Sequence, residues 1–257
     1  MPGDARRLAS HLRFVHLAFL RNPAAAIFTL AFPLGLLVVL TTVLRDGTVA
    51  REGVTYDRTT YHVVAMALFG LISATYTNVA MTMTLARERG VLKRLRGTPL
   101  PLGTAVAARI VHATAVATAL VVLTFGYGAA IGAVDAPGSE RAAAILVVTL
   151  VCASSFAAIG LAVSTFVRDA AAAPPIVNGV LLPLLLLSGV FVPIGDDAPA
   201  WVRGVAEVFP IRAALDLLLG ASAARTGIDL ADVAVVAAWG TVGAVVAVRR
   251  FRWEPAA

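Results

Sequence analysis

Charged residues are scarce in this chain, and their absence from its apolar runs narrows the range of possible functions. Only 14% of the 257 residues are charged, whereas 59% are hydrophobic. A soluble domain of this length cannot bury so much apolar surface, so the composition indicates an integral membrane protein. Its five longest apolar runs contain no acidic residue, lysine or arginine. Carriers driven by protons or sodium ions usually place such charges within their spans, so the sequence argues against ion-coupled transport.

The residues of several catalytic and metal sites are missing as well. The single cysteine, Cys152, excludes an intrachain disulfide and a metal site made of several cysteines. No glycine-rich phosphate-binding loop precedes Lys93, the only lysine, so the chain has no recognisable means of hydrolysing ATP. The four histidines are scattered, and Leu186 stands where an intramembrane serine protease would need glycine before Ser188. We therefore expect no catalytic residue, no metal ligand and no cofactor in this chain.

The apolar runs are long enough to cross a membrane as helices. A helix rises about 1.5 Å per residue, so roughly 20 residues cross a hydrocarbon core of about 30 Å. The sequence predicts an all-α integral membrane protein of one domain, residues 1–257, with spans at about 24–44, 61–86, 105–134, 142–167, 170–194 and 228–248. An amphipathic stretch at residues 4–21 predicts an interfacial helix ahead of the first of these six spans.

Basic residues are distributed unevenly between the two sides that six spans define. An even number of crossings places both termini on one side, and that side holds roughly twice as many basic residues as the other. Because short basic loops stay in the cytoplasm, we expect both termini there. Arginine almost completely replaces lysine, which is typical of GC-rich bacterial genomes, so the expected location is a bacterial inner membrane.

A short basic segment, residues 85–102, connects the second and third predicted spans. It carries five basic residues and one acid, which are Arg87, Arg89, Lys93, Arg94, Arg96 and Glu88. The pattern predicts an amphipathic cytoplasmic helix over residues 87–98. At the start of the third span, Arg109 is expected to snorkel towards the lipid headgroups, with His112 in a polar contact on the same face. A functional pair is the alternative for these two residues.

The segment before the sixth span is too long for a turn and too interrupted to cross a membrane. It holds two short apolar pieces, residues 201–209 and 211–219, which Pro210 separates. Arg212 and Asp216 are four residues apart, so they are expected to pair on one helix face. We predict two short re-entrant helices that dip into the outer leaflet.

Three groups of residues follow one another in an order that is familiar from one family of membrane proteins. The first group is residues 20–23 with Pro33; the second is Glu88, Gly90, Leu92, Leu95, Thr98 and Pro99; the third is residues 187–193 with Trp201 and Pro210. With this pattern the chain resembles the permeases of type-2 ATP-binding-cassette exporters, and among them the small bacterial permeases similar to the daunorubicin-resistance permease. The resemblance covers nearly the whole chain.

The resemblance implies a connecting helix before span one, a coupling helix between spans two and three, and re-entrant helices between spans five and six. It also implies two copies of a separate ATPase subunit, which bind ATP and Mg²⁺, and a second permease copy, with a homodimer as the expected form. The remaining expected partner is membrane lipid, and no nucleic acid is expected. Members of the family export drugs, antibiotics or lipid-linked glycans, so multidrug export and antibiotic resistance are expected roles.

The coupling helix is the expected contact with the ATPase. The residues expected there are Arg87, Glu88, Gly90, Leu92, Lys93, Arg94, Leu95, Thr98 and Pro99. We expect Leu92 and Leu95 to pack into a groove on the partner, with the bases against its acidic rim or against lipid headgroups. Glu88 is expected to pair with Arg21 or another inner arginine. The alternative for Glu88 is a solvated charge that the helix dipole favours.

Polar residues in the second span and prolines in the fifth indicate a candidate substrate pathway. Its expected residues are Ser73, Tyr76, Thr77, Asn78, Asn178, Leu181, Leu184 and Leu185. Because the spans hold no fixed charge for an ion or a polyanion, the expected substrate is hydrophobic or amphiphilic. Ordinary helix packing is the alternative for these residues. For the whole chain, the alternatives are a membrane anchoring or assembly protein without transport, a glycan exporter and an intramembrane enzyme.

Overall fold

The computed structural model describes residues 2–51, 53–97, 101–194, 199–223 and 228–250. Within these ranges helices form nearly all of the regular structure. They are α1 (Pro2–Leu20), α2 (Pro23–Val43), α3 (Arg58–Ile72), α4 (Asn78–Glu88), α5 (Val91–Arg96), α6 (Leu102–Ala130), α7 (Ser139–Ser164), α8 (Ala173–Leu187), α9 (Ala200–Val208), α10 (Pro210–Ser222) and α11 (Leu230–Arg250). A π-helical turn, Ser73–Thr77, joins α3 to α4.

Among the described residues, four helical segments are long and apolar enough to cross a membrane. They are Arg58–Glu88, which comprises α3, the π turn and α4, together with Gly103–Ala130, Ser139–Ser164 and Leu230–Arg250. They correspond to the predicted second, third, fourth and sixth spans. The predicted first span corresponds to α2, and the predicted fifth to the shorter α8. The predicted class, an all-α membrane protein, is confirmed, while the count of six spans stays a prediction.

Helix α8 is shorter than the span predicted for residues 170–194. It has 15 residues, which corresponds to a length of about 22 Å. Pro174 and Pro175 lie in its first turn, where a missing N–H costs no helical hydrogen bond. Beyond its last residue, Gly189 adopts a φ of 84°, which an α-helix cannot contain. The predicted span is too long because the apolar character of the sequence continues past both helix ends.

A two-stranded antiparallel hairpin lies between α2 and α3. Strand β1 (Thr48–Arg51) pairs with β2 (Val54–Asp57). Gly53 in the connection has a φ of 75°, a conformation that suits glycine. On β1, Val49 and Arg51 share the buried face. The sequence pattern does not predict this hairpin, because its strands are short and charged residues surround them.

Helix α3 occupies the centre of the molecule. All residues from 61 to 72 are buried, and α2, α6, α7 and α10 pack around them. Burial on all sides explains why this stretch is apolar without a polar stripe. At Gly70, Leu120 of α6 and Pro33 of α2 lie 3.5 and 3.6 Å from the position that a Cβ would take. The proline of α2 thus packs directly against the central helix.

Helices α7 and α11 pack closely along small residues. A Cβ at Gly240 would lie 2.5 Å from Ser155 Oγ, and one at Gly243 would lie 2.8 Å from Ile159 N. Small residues let two backbones approach, which is the usual basis of helix association in membranes. The two helices form a close pair, and α10 packs against both of them.

Candidate functional site

The predicted coupling helix is divided at Gly90. Helix α4 ends at Glu88, and α5 covers only Val91–Arg96. Gly90 lies between them with a φ of 65°, a left-handed conformation that glycine adopts at little cost. The prediction of one helix over residues 87–98 is therefore wrong, since the chain turns at this glycine. Two predicted coupling residues lie outside the described part of the chain: Thr98 and Pro99.

Helix α5 turns its apolar face towards the chain's own bundle. Leu92 is 2% exposed and packs with side chains of α4, α6, α7 and α11, which include Met83, Ala113, Leu161 and Ala247. Leu95 is half-buried and packs against the same cluster. The expectation that Leu92 packs into a groove on a partner is therefore wrong, because its own spans already cover it.

The other side of this segment presents cations to solvent. Arg89, Lys93 and Arg94 are exposed, and Arg94 Nη2 donates a hydrogen bond to Arg89 O at 3.0 Å. No ion pair involves these three side chains within the described residues. We call Arg89, Lys93 and Arg94 the basic face. Three exposed cations that form no ion pair among the described side chains attract an acidic protein surface or anionic lipid.

Arg87 faces the interior rather than the solvent. Its side chain is 6% exposed, Nη1 donates to Ser164 O at 3.0 Å, and Nη2 donates to Val167 O. Ser164 is the last residue of α7 and Val167 follows it by three residues, so the guanidinium lies where backbone oxygens lack helical partners and cations are favoured. Arg87 therefore anchors the end of α4 to the end of α7, which corrects its expected contact with the ATPase.

Glu88 contacts the connection between α7 and α8. Its exposed carboxylate accepts a hydrogen bond from Ala170 N at 2.8 Å. The described side chains include no ion pair between Glu88 and Arg21 or another inner arginine, so that expectation is wrong. Arg87 and Glu88 together tie the turn between α4 and α5 to the chain that leads from α7 into α8.

The candidate pathway contains the π turn of the second span. Tyr76 is 4% exposed, and its hydroxyl donates to Val177 O of α8 at 3.3 Å. Gly160 of α7 lies so close to the Tyr76 backbone that no Cβ would fit. Single π turns recur at functional positions of helices. The structure thus brings the second span against α7 and α8, with three predicted pathway residues half-buried: Ser73, Thr77 and Asn78.

Helix α8 buries one stripe and exposes the rest. Val177, Leu181 and Leu185 are spaced four residues apart and lie in the main core, so they fill space rather than line an opening. Asn178 and Leu184 are half-buried at the edge of this stripe. The predicted pathway residues of α8 therefore divide into core and edge positions. Large apolar residues on the remaining side are exposed: Ile176, Val180, Leu182 and Leu186.

A buried ion pair at the opposite end of the bundle is not evident from the sequence. Asp216 of α10 accepts hydrogen bonds from Nε and Nη2 of Arg51 on β1, the latter at 3.0 Å. The two side chains are 8% and 4% exposed. The predicted partner, Arg212, lies 3.9 Å from Asp216 and is the more distant of the two arginines. The one sequence signal for Arg51 is its two-residue spacing from Val49, which places both on one strand face.

Tyr61 joins this ion pair to the end of α8. Its hydroxyl donates to Gly189 O at 2.8 Å and accepts a hydrogen bond from Arg51 Nη1 at 3.4 Å. A Cβ at Gly189 would lie 3.0 Å from Tyr61 Oη and 3.1 Å from Arg51 Nη1, at a positive φ. Only glycine meets both conditions. We call Arg51, Tyr61, Gly189 and Asp216 the Arg51 network, which joins the hairpin, α3, the end of α8 and α10.

Helix α1 packs against α6. The rings of His16 and Phe19 meet the ring of His112 edge-on, with centres 5.4 and 5.3 Å apart. These ring contacts take the place of the polar contact expected for His112. Burial, together with the nearby charge of Arg109, holds the pKa of His11 on α1 below its usual range. The interfacial helix is thus attached to a predicted span by aromatic contacts.

A family model described as ABC-2 type transporter matches residues 9–222, which extend from α1 to the end of α10. A search of curated proteins finds no match to the chain. Membrane domains of this family are the permease components of transporters and normally work with an ABC ATPase. The multi-pass helical architecture agrees with the match. The chain belongs to the ABC-2 type transporter family and is the permease component of an ABC transporter.

Proposed function

We propose that this permease exports a hydrophobic or amphiphilic substrate from a bacterial cell, driven by two copies of a separate ATPase subunit that bind ATP and Mg²⁺. The observation that carries the proposal is the turn between α4 and α5. Its cations are exposed, while its apolar side is buried against the spans. A docking element needs a free recognition surface and firm attachment to the helices that move, and this segment has both.

The attachment uses side chains on both sides of the Gly90 turn. Arg87 binds the end of α7, Glu88 binds Ala170 ahead of α8, and Leu92 belongs to a buried cluster with side chains from four other helices. Movement of α5 by a closing ATPase pair would therefore move the adjoining ends of α7 and α8. The basic face would meet acidic residues of the ATPase, an arrangement that gives fast and specific docking.

The pathway is proposed to lie between two copies of the chain, with the π turn and α8 along it. Support comes from the exposed apolar side of α8, where Val180 and Leu186 are each 52% exposed. Half-buried polar residues at the edge of this region would contact the substrate: Ser73, Thr77, Asn78 and Asn178. Leu184 would narrow the path. Since α8 and the π turn carry no charged side chain, a substrate with fixed charges would find no partner there.

We further propose that both termini and the basic face lie on the cytoplasmic side of the inner membrane. The support is the excess of basic residues on that side. A Lys93→Cys variant in a Cys152→Ala background tests this orientation, because residue 93 is exposed. A membrane-impermeant maleimide should label it only after the cells are permeabilised. Labelling in intact cells would overturn both the orientation and the docking role.

Reconstitution with an ABC ATPase encoded beside the permease tests the function itself. The two proteins should co-purify, and an amphiphilic drug should raise ATP hydrolysis in liposomes several-fold above the basal rate. ATP-driven uptake of the drug into inside-out vesicles measures export directly. Co-purification without stimulated hydrolysis or uptake would contradict the export proposal and favour an anchoring protein.

A further inference from the structure

A cavity of about 470 Å³ lies at the end of the bundle opposite α5. It is formed where α2 ends, α3 begins and α6 ends. Its polar lining residues are Thr41, Thr42, Arg45, Asp46, Thr59 and Tyr127. Because the segments Arg58–Glu88 and Gly103–Ala130 begin or end here, the cavity lies at the level of the lipid headgroups.

Three hydroxyl groups of this cavity, those of Thr41, Thr42 and Tyr127, donate their hydrogens within the protein. Thr41 Oγ1 donates to Leu37 O at 2.8 Å, and Thr42 Oγ1 donates to Val38 O at 2.7 Å. The hydroxyl oxygens of Tyr127 and Thr41 are 3.2 Å apart, so Tyr127 is the donor of that bond. What remains free on these oxygens is lone pairs, which accept hydrogen bonds from a ligand.

The rim of the cavity carries one cationic and one anionic side chain, Arg45 and Asp46. Arg45 Nε and Asp46 Oδ1 are 3.9 Å apart, and the side chains are 73% and 100% exposed. At such exposure their mutual attraction is weak, so both groups remain available to a ligand. A matching ligand carries an ammonium group, which donates hydrogen bonds to Asp46 and to the hydroxyl oxygens. It also carries an anionic group, which pairs with Arg45.

Exposed apolar side chains adjoin the cavity. Val43 and Leu44 are 71% and 42% exposed, and Ile131, which also lines the cavity, is 45% exposed. At the edge of a membrane such side chains contact lipid acyl chains. A ligand with a zwitterionic headgroup and acyl chains therefore satisfies the charged rim, the hydroxyl oxygens and the apolar surroundings together.

We propose that this cavity binds a phospholipid that carries a primary ammonium group beside its phosphate, as phosphatidylethanolamine does. The ammonium group donates hydrogen bonds to Tyr127, Thr42 and Asp46, and the phosphate pairs with Arg45. The site is separate from α8 and the π turn, so it does not depend on the proposed substrate pathway.

Native mass spectrometry of the purified, delipidated permease tests this with lipids of identical acyl chains. We expect phosphatidylethanolamine to bind about tenfold more tightly than phosphatidylcholine, whose quaternary ammonium has no hydrogen to donate. Phosphatidylglycerol, which lacks the cation, should also bind more weakly. Equal or tighter binding of either competitor overturns the proposal.

Variants locate the binding site. Tyr127→Phe and Asp46→Asn should each reduce the preference for phosphatidylethanolamine by about threefold, since the first removes a hydroxyl acceptor and the second replaces a carboxylate with a neutral amide, a weaker acceptor. Glu207→Gln, which changes an exposed carboxylate on α9, should leave it unchanged. An unchanged preference in both cavity variants overturns the assignment to this cavity. Thermal unfolding shows whether each variant folds, and the comparison of lipids on the unaltered permease stands without the variants.

The soluble ester phosphoethanolamine separates a lipid ligand from a free headgroup. It should bind about a hundredfold more weakly than the lipid, because it has no acyl chains to cover Val43, Leu44 and Ile131. Binding of the soluble ester as tight as that of the lipid overturns the assignment to a phospholipid.

Discussion

The ion pair between Arg51 and Asp216 joins the hairpin to α10 where both side chains are buried. Removing one partner of such a pair leaves an uncompensated charge, at a cost of about 3–5 kcal/mol, whereas apolar replacement of both is often neutral. We expect Arg51→Met and Asp216→Leu each to lower the free energy of unfolding by that amount, and the double variant to lose much less than their sum. Thermal unfolding in detergent measures this, with the exposed Arg203→Met as control. Additive losses would contradict a direct pair.

Gly189 is required by its surroundings as well as by its backbone conformation. Its φ is 84°, and a Cβ there would lie 3.0 Å from Tyr61 Oη. We expect Gly189→Ala to lower the free energy of unfolding by about 1–3 kcal/mol. Gly179 within α8 has open space around it, so Gly179→Ala should be neutral or slightly stabilising. Thermal unfolding compares the two variants, and equal effects would count against the proposed steric requirement.

The basic residues between the second and third predicted spans show what a sequence pattern can and cannot predict about side-chain burial. The sequence locates the bases between two spans, but it does not indicate that Arg87 is buried while Lys93 is exposed. The burial of Arg87 depends on the carbonyl groups of Ser164 and Val167, which lie far along the chain. A base at the end of a helix has the same sequence pattern whether it meets solvent, a partner or another helix.

Among the elements, the long spans are predictable and their interruptions are not. The lengths and apolar character of the predicted second, third, fourth and sixth spans suffice to locate four long helices. The end of α8 depends on Gly189 and its contact with Tyr61, and the hairpin depends on Arg51 reaching Asp216. These are contacts between distant parts of the chain, so no local window of sequence contains them.

The two faces of α5 have different roles: the apolar face packs against the spans, and the basic face is proposed to dock the ATPase. An amphipathic sequence pattern alone does not show which face does which. Leu92→Asp puts a charge where the side chain is 2% exposed, so we expect a large loss of folded permease. Reversing two exposed charges, Lys93→Glu with Arg94→Glu, should leave the permease folded and reduce drug-stimulated ATP hydrolysis about tenfold, because docking loses its attraction. Gel filtration reports the folded yield, and hydrolysis in liposomes reports coupling.

The control for the charge reversal is Arg249→Glu, at an exposed position near the end of α11. It changes charge outside the basic face and should leave stimulated hydrolysis near the unaltered rate. Normal stimulation in the double variant, or an equal loss in the control, would contradict docking through the basic face.

At the scale of the whole molecule, three hydrogen bonds attach α8 and the segments beside it to the rest of the bundle. Glu88 binds Ala170 N ahead of the helix, Tyr76 binds Val177 O near its start, and Tyr61 binds Gly189 O just beyond its end. If a docked ATPase displaces the basic face, these three contacts provide a route along α8 to the Arg51 network at the other end of the bundle.

The exposed side of α8 is where two copies of the permease would meet if the pathway lies between them. In a Cys152→Ala background, Asn178→Cys should form a disulfide between copies under mild oxidation, because the residue lies at the edge of that side. Val147→Cys on α7, 55% exposed, is the matched control and should not crosslink. The crosslinked permease should lose ATP-driven drug uptake and regain it on reduction, since α8 is then free to separate from its copy. Crosslinking at residue 147 in place of residue 178 would put the contact between copies on α7 and contradict the proposed pathway.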